Sequence, residues 1–335
     1  MFGRYLMLRL LLAIPTIFCV AIIVFVLMRI VPGDPISMMI PPGASPDDIE
    51  NLREIYGLNK PVLDQFLIWL NGIAEGDLGR SISLKLGVGQ LILNRLPATL
   101  ELVILSLGMA IFLAVTVSVA AIRYKDTLVE RVLDTFTGVA QAIPDFLWSL
   151  LLLLFFGVIL PLFPITGRLD PSLSFDPITN FYFFEAIFTF RLDVVWDLLA
   201  HLALPSFALA FPLAASLSRV LRGSLSEAMS QDYITLAQVK GYSRLEVITK
   251  FALRNALIPT ITLSGVQFAF LIGGTVLVEY IFSYPGLGNL AISAVVQRDL
   301  PLIQGLILTF AIMFVITNLL VDLSYALINP RLRGR

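Results

Sequence analysis

The chain has 335 residues, 58% of them hydrophobic and 14% charged, with a formal net charge of −1 and a mean hydropathy of +0.89. That composition excludes a soluble globular domain, and no nucleic-acid partner is expected. The single cysteine, Cys19, excludes a disulfide framework and a thiolate metal centre.

A bilayer core about 30 Å thick calls for roughly 20 apolar residues per spanning helix. Six segments reach that length, at about 10–31, 97–122, 137–163, 198–220, 257–281 and 302–328. The first starts with Arg4 and Arg9, but its apolar run is too long for a secretory signal and no small-x-small site follows it, so it is read as a retained helix. Segment 32–96 is the largest loop. It opens on the turn Pro32-Gly33-Asp34-Pro35, and Ser45-Pro46-Asp47-Asp48 then starts a helix that stops at Gly57. A second amphipathic helix follows Pro61, with Leu63, Phe66, Leu67 and Leu70 at helical spacing, before the turn Gly76-Asp77-Leu78-Gly79-Arg80-Ser81. These signals predict a small helical cap over the outer mouth.

Further along, 123–136 reads as a short inner connection and the aromatic, acidic segment 164–197 as an outer-surface loop. Asp145, beside Pro144, lies eight residues into the third span, about 12 Å deep at 1.5 Å per residue. It is a candidate pathway residue or an acceptor for groups freed by the proline. Glu101 and Glu279 fall near the outer ends of their spans and Asp322 near an inner end, where each is expected to reach water or headgroups. Pro205, Pro212 and Asn318 suit helices that pack on one another or line a cavity. His201, the only histidine, has no carboxylate at ligand spacing and is weak evidence for a metal.

Between the fourth and fifth spans lies a polar stretch of 36 residues, Arg222 to Leu257, too long and too rich in helix formers to be slack. Asp232 to Lys240 predicts one short helix, Gly241 a tight turn and Ser243 the cap of a second helix. In the second helix Leu245, Ile248, Phe251 and Asn255 recur at helical spacing, with Arg244, Lys250 and Arg254 as cationic positions. Such a helix–Gly–helix hook fits a groove on a partner protein. It equally fits a helix pair lying on anionic lipid.

With both termini inside, the inner segments and adjacent helix ends hold 14 Lys/Arg against 6 Asp/Glu, and the remainder 9 against 18. That bias predicts six spans with N and C termini in the cytoplasm, the tail Arg331, Arg333 and Arg335 included. The expected fold is an all-α integral membrane protein. It divides into a tail and first helix (1–31), an extracytoplasmic cap (32–96), a five-helix core carrying the loop 222–257 (97–328) and a basic tail (329–335). No phosphate-cradling Gly-x4-Gly-Lys-Ser/Thr loop, nucleophile set or metal pattern is present, so neither catalysis nor a cofactor is expected. An ion-coupled secondary transporter would need internal repeats and midplane carboxylates; no repeat is visible and only Asp145 has the depth.

The stretch Asp232-Tyr233-Ile234-Thr235-Leu236-Ala237-Gln238-Val239-Lys240-Gly241, followed by Ala252-Leu253-Arg254-Asn255-Ala256-Leu257-Ile258-Pro259, resembles the coupling loop of ABC-importer permeases of the dipeptide/oligopeptide/nickel family. Arg29-Ile30-Val31-Pro32-Gly33-Asp34-Pro35, Tyr56-Gly57-Leu58-Asn59-Lys60-Pro61, Leu96-Pro97-Ala98-Thr99-Leu100-Glu101-Leu102 and Glu279-Tyr280-Ile281-Phe282-Ser283-Tyr284-Pro285-Gly286-Leu287-Gly288 are similar to other blocks of that family, as is the ending around Asn318, Asp322 and Pro330. The wider importer consensus has Glu-Ala-Ala before the loop glycine, where this chain has Thr235, Leu236 and Ala237, and Pro259 comes later than that consensus places it. The resemblance implies a permease subunit working by alternating access in the bacterial inner membrane. Its implied partners are two cytoplasmic ATP-binding subunits, a second homologous permease, an extracytoplasmic substrate-binding protein and membrane lipid. It implies coupling roles for Tyr233, Ala237, Gly241, Arg244, Leu245, Asn255 and Pro259. Di- and oligopeptides are the expected cargo, with nickel chelates, glutathione and oligosaccharides as alternatives.

Overall fold

The computed structural model describes residues 2–30 and 59–328, together with Asp47 and Glu50. The first cap helix read around 45–57 and the basic tail 329–335 lie essentially outside the described residues. The described chain is helical, with a lone antiparallel bridge between Arg80 and Gly87. In chain order the helices are α1 (Phe2–Ile30), α2 (Val62–Ala74), α3 (Val88–Arg123), α4 (Leu128–Ala142) and α5 (Asp145–Leu152), which runs on as a π-helical segment, Leu153–Ile159. Then come α6 (Tyr182–Phe188), α7 (Leu192–Met229), α8 (Asp232–Val239) and α9 (Arg244–Glu246), the last running into a second π-helical segment, Val247–Ala252. The series ends with α10 (Leu253–Ile281), α11 (Leu287–Val296) and α12 (Leu300–Ile328).

Five stretches are long and apolar enough to cross a membrane: Leu11–Ile30, Val88–Arg123, Leu192–Met229, Arg244–Ile281 and Leu300–Val321. The sixth apolar segment is a bent pair, α4 and α5 with its extension to Ile159, meeting at 108°, which is the shape of a broken span or of a re-entrant loop. Pro144 supplies no amide hydrogen and disfavours a helical residue before it, and Ile143 is accordingly extended (ψ 124°). The connection read at 123–136 as a short loop is therefore mostly the start of α4. Counting depth along one straight helix does not apply to Asp145, which stands at the start of α5 just past the break.

Helices α3 and α7 form the centre of the bundle. On α3 the small residues Ser106, Ala110, Ala114, Ser118 and Ala121 are all buried, one turn apart, and on α7 Ala208, Ala214, Ala215 and Ser218 are buried. In lipid, where helices gain little from excluding water, small residues bring backbones close enough for dense packing. The hydroxyls of Ser118 and Ser218 meet at 3.0 Å across this interface. Around it Leu102, Leu202, Leu209, Leu217, Ile272 and Phe282 complete the main core. The prolines of α7, Pro205 and Pro212, sit inside an unbroken helix.

At the end of the bundle remote from the 230–252 loop, the acids read as water-reaching are instead buried. Glu101 accepts from Arg168 at 2.6 Å and from the Phe183 amide at 2.9 Å, and Arg168 also stacks on Tyr182. Glu279 is fully buried and accepts from Thr99 Oγ1 (2.8 Å), the Gly288 amide (2.7 Å) and the Asn289 amide (3.2 Å). The connection after α5 and the start of α6 supply the donors for Glu101, and Thr99 of α3 with the start of α11 supplies those for Glu279, which is why nearness to a helix end did not mean water.

A third buried acid, Asp299, accepts from Ser81 Oγ (2.6 Å), Ser83 Oγ (2.7 Å) and the Ser83 amide (3.0 Å), tying the turn after α2 to the start of α12. Burial alone would push the Asp299 carboxyl up, but the Ser81 and Ser83 hydrogen bonds outweigh it and hold the group below the ordinary aspartate range. The turn itself is as read: Gly76 and Gly79 have φ of +84° and +85°, and Asp77 accepts from the Gly79 amide at 2.8 Å. His201 is a buried structural residue, its Nδ1 within 2.9 Å of the Asp197 carbonyl oxygen and 3.2 Å of the Asp197 carboxylate, so a carboxylate does stand one helical turn away, contrary to the reading from sequence. No group of His, Cys, Asp or Glu among the described residues is arranged to hold a metal.

Candidate functional site

The polar stretch 222–257 is shorter as a loop than its composition implies. Helix α7 carries on to Met229 because Leu221, Leu225 and Ala228 keep its apolar face buried, and α10 already begins at Leu253. Between them α8, the turn at Gly241 and α9 with its π-helical extension form a compact hook. Its inner face is a second apolar core in which Ile234, Ala237, Val247, Ile248, Ala252 and Ala256 pack on Leu221 and Leu225, with Val115, Val119 and Ile122 of α3 against them.

Each turn of the hook has a local cause. The Tyr242 amide donates to the Ala237 carbonyl (3.3 Å) and the Gly241 amide to the Gln238 carbonyl (2.9 Å), the pair of bonds that closes a helix through a left-handed residue. That residue is Gly241, at φ +84°. Two residues on, Ser243 starts the next helix with a reciprocal cap: the Glu246 amide donates to Ser243 Oγ and the Ser243 amide to Glu246 Oε2. Glu246 also pairs with Lys250 at 2.8 Å. Replacing Ser243 by alanine is expected to weaken this turn by about 1 kcal/mol. Amide hydrogen exchange over 243–252 should then speed up about five-fold, and unchanged exchange would show that the cap does not hold the turn.

The residues singled out from sequence fall into two groups. Ala237 is buried in the inner core, and Arg244 donates from Nη2 to the Ile122 carbonyl at 3.0 Å, so it fastens the hook to the end of α3. Asn255 donates to the Tyr233 hydroxyl at 3.2 Å, and both line a cleft of 340 Å³ with Ser224, Glu227, Gln231 and Pro259. Tyr233 and Leu245 keep more than a third of their surface exposed. Ile248, read on the same apolar stripe as Leu245, is buried instead.

The surface of the hook also presents residues the sequence pattern did not single out as its exposed face. Leu236 (56% exposed), Val239 (80%) and Tyr242 (41%) stand out from α8 and the turn. The periodicity of α8 could have identified them, since Ile234 and Ala237 face inward and Leu236 and Val239 must then face outward. Tyr242 is steadied by an edge-on contact with Phe251, ring centroids 5.0 Å apart.

Asp145 belongs to a different place. It is half-buried, its Oδ1 accepts from the Phe146 amide at 2.7 Å, and its Oδ2 faces Gly274 of α10. Nearer the loop end, Asp134 and Gln141 of α4 bond Arg222 and Arg219 of α7 and close the broken span onto the bundle.

The hook is thus fastened to α3 and α7 on one side and carries an apolar outer face on the other. Comparison with known proteins identifies the family. Residues 106–334 match the family described as binding-protein-dependent transport system inner membrane component, and residues 1–103 match its N-terminal companion. A probable peptide ABC transporter permease protein of Sinorhizobium fredii is 34% identical over 99% of both chains. An oligopeptide transport system permease protein of Bacillus subtilis is 35% identical over 98% of this chain and 99% of its own. A dipeptide transport system permease protein of Escherichia coli is 34% identical over 99% of both. In such a system ATP hydrolysis belongs to a separate ATP-binding subunit, and a binding protein delivers the solute. The chain belongs to the binding-protein-dependent transport system inner membrane component family and is a multi-pass inner-membrane permease subunit.

Proposed function

We propose that this permease imports short peptides and that the hook 233–259 is where a cytoplasmic ATP-binding subunit grips it. In this reading both termini and the hook lie in the cytoplasm. Two permeases, this one and a related second chain, pack face to face above two ATP-binding subunits, and the substrate-binding protein docks on the opposite side. Closure of the ATP-binding subunits on ATP pulls both hooks together and rocks the bundles, which opens the cavity outward. Asp145, beside Gly274 at the break of the third span, is the residue we place on the pathway.

The observation that carries the reading is the two-sidedness of the hook. Tyr233, Leu236, Val239, Tyr242 and Leu245 offer apolar surface outward, while Ala237 and the Arg244–Ile122 bond fasten the other side to α7 and α3. A lever needs both a gripping face and a stiff mounting, and a solvated loop needs neither. Peptide cargo is supported by the relatives, whose names are those of peptide, oligopeptide and dipeptide permeases.

The test is a mild-detergent pull-down of the chain bearing Val239→Asp, a substitution at an exposed position remote from the core. Retention of the ATP-binding subunits is expected to fall by roughly ten-fold, the loss typical of a hot-spot residue, with the second permease still bound. Parental retention would place the docking surface elsewhere. Failure of the reconstituted parent to take up any labelled di- or tripeptide would remove the peptide reading.

A further inference from the structure

Helix α2 exposes Val62, Leu63, Leu67 and Ile68, each by more than half of its surface, and its only ionisable residue is Asp64 in the first turn. Its packed face lies on α1. The Phe66 ring meets both Phe25 (5.1 Å, 70°) and Phe18 (6.1 Å, 66°) edge-on, and Trp69 lies 5.7 Å from Phe25. Phe18 and Phe25 are separated by about 10 Å along the helix axis, so a ring that touches both sits between them, near the level of Ile22. That level is about 12 Å from the Ile30 end of the helix.

The apolar run of α1 covers Leu11 to Ile30, the length of one bilayer crossing. Phe66 is therefore held within the hydrocarbon and not above it. Arg29 marks the boundary. Its guanidinium folds back over the Phe25 ring (3.4 Å to the centroid), with Nη2 donating to Gln65 Oε1 at 2.8 Å and Nη1 to the Phe25 carbonyl at 3.3 Å. A cation at the headgroup level with an apolar face sunk 5–10 Å below it describes a helix lying in the plane of the interface. At the same level α1 also exposes apolar side chains, Ile22, Ile23, Val26 and Leu27.

We infer that α2 is an interfacial helix seated in the outer leaflet, its Leu63–Leu67–Ile68 face against acyl chains and Arg29 with Gln65 at the headgroup level. The occupant of this face is lipid, by its depth and by its packing on a spanning helix. The word outer rests on the orientation proposed above; the lipid assignment does not. On this account α2 braces the first span from the side, and the outer mouth over the bundle is left to the other segments.

The full chain, in a Cys19→Ser background with a spin label at Leu67→Cys or Leu63→Cys, is assembled with cysteine-free partner subunits in phosphatidylcholine–phosphatidylglycerol nanodiscs. Collision rates with oxygen and with a water-soluble nickel chelate are then compared. Oxygen is expected to exceed the chelate several-fold at both positions, and the ratio to reverse at Asp176→Cys, an exposed position in the connection before α6. Dominance of the chelate at Leu67 would put α2 in water and overturn the inference. Exclusion of both reagents would mean that a protein covers the face, and would overturn it equally.

Discussion

Replacing Glu279 by alanine is expected to unseat α11 and to destabilise the folded chain by on the order of 3–5 kcal/mol. Helix α11 cannot cap itself: its N-cap is Gly286, with no side chain to offer. Its first amides are satisfied from outside, Leu287 by Thr99 Oγ1 (2.8 Å) and Gly288 and Asn289 by the Glu279 carboxylate. Thr99 in turn donates to Glu279, so a single carboxylate organises the ends of α3, α10 and α11. The site is fully buried, and each donor left without an acceptor there costs about 1–3 kcal/mol.

The glycines around the site make the same point sterically. A Cβ at Gly286 would lie 2.3 Å from Glu279 Oε2, and one at Gly288 would lie 2.5 Å from the Val276 Cα, a backbone atom that cannot turn aside. Gly288→Ala should therefore reproduce much of the Glu279→Ala loss with the carboxylate still present. The check is the thermal midpoint of the detergent-purified chain, expected to fall by roughly 10 °C for Glu279→Ala. Glu279→Gln, which keeps one accepting oxygen, should fall between. An unchanged midpoint in Glu279→Ala would mean that water can serve the three donors and that the carboxylate is not what holds α11.

This network was closed to sequence reading for a physical reason. Thr99 and Glu279 are 180 residues apart, Glu101 and Arg168 are 67 apart, and Ser81 and Asp299 are 218 apart. Nothing local in Glu279 distinguishes a carboxylate that caps another helix from one that reaches water at a span end. Helix α11 itself, ten residues between Gly286 and Gln297, is too short to register as a span. The break in the third span was hidden differently: apolar residues run on through 137–163, and length alone reads them as one helix. The signal was Pro144 followed by Asp145, a helix-start pattern inside an apolar run. What was legible depended on neighbours along the chain: the apolar lengths of the other five spans, the Gly76–Ser81 turn and, in the hook, Gly241 with the Ser243 cap. The inward and outward sides of the hook were only partly legible, since Ile248 is sealed by α3 and α7, which periodicity does not see.

The hook is also where the largest loss of activity is expected, from Gly241→Val. Gly241 has φ +84°, and a Cβ there would meet nothing within 4 Å. Crowding therefore plays no part, and the whole effect is conformational. An L-residue in this region costs about 1–2 kcal/mol, and a β-branched one more. The chain can avoid that cost by leaving the left-handed conformation, which breaks the Tyr242–Ala237 and Gly241–Gln238 bonds and redirects α9 relative to α8. Leu236 and Val239 then no longer share a face with Leu245, while the bundle, whose core is elsewhere, stays folded. Uptake of a labelled dipeptide by the reconstituted importer should drop at least about ten-fold, as expected when a docking face is lost, with membrane insertion unchanged. Gly241→Asn should retain more activity than Gly241→Val, because asparagine tolerates the left-handed region best among residues with a side chain. That order separates a backbone requirement from a requirement for a small residue, since asparagine and valine are close in size. Equal transport by the valine variant and the parent would show that the turn at Gly241 does not set the direction of the lever.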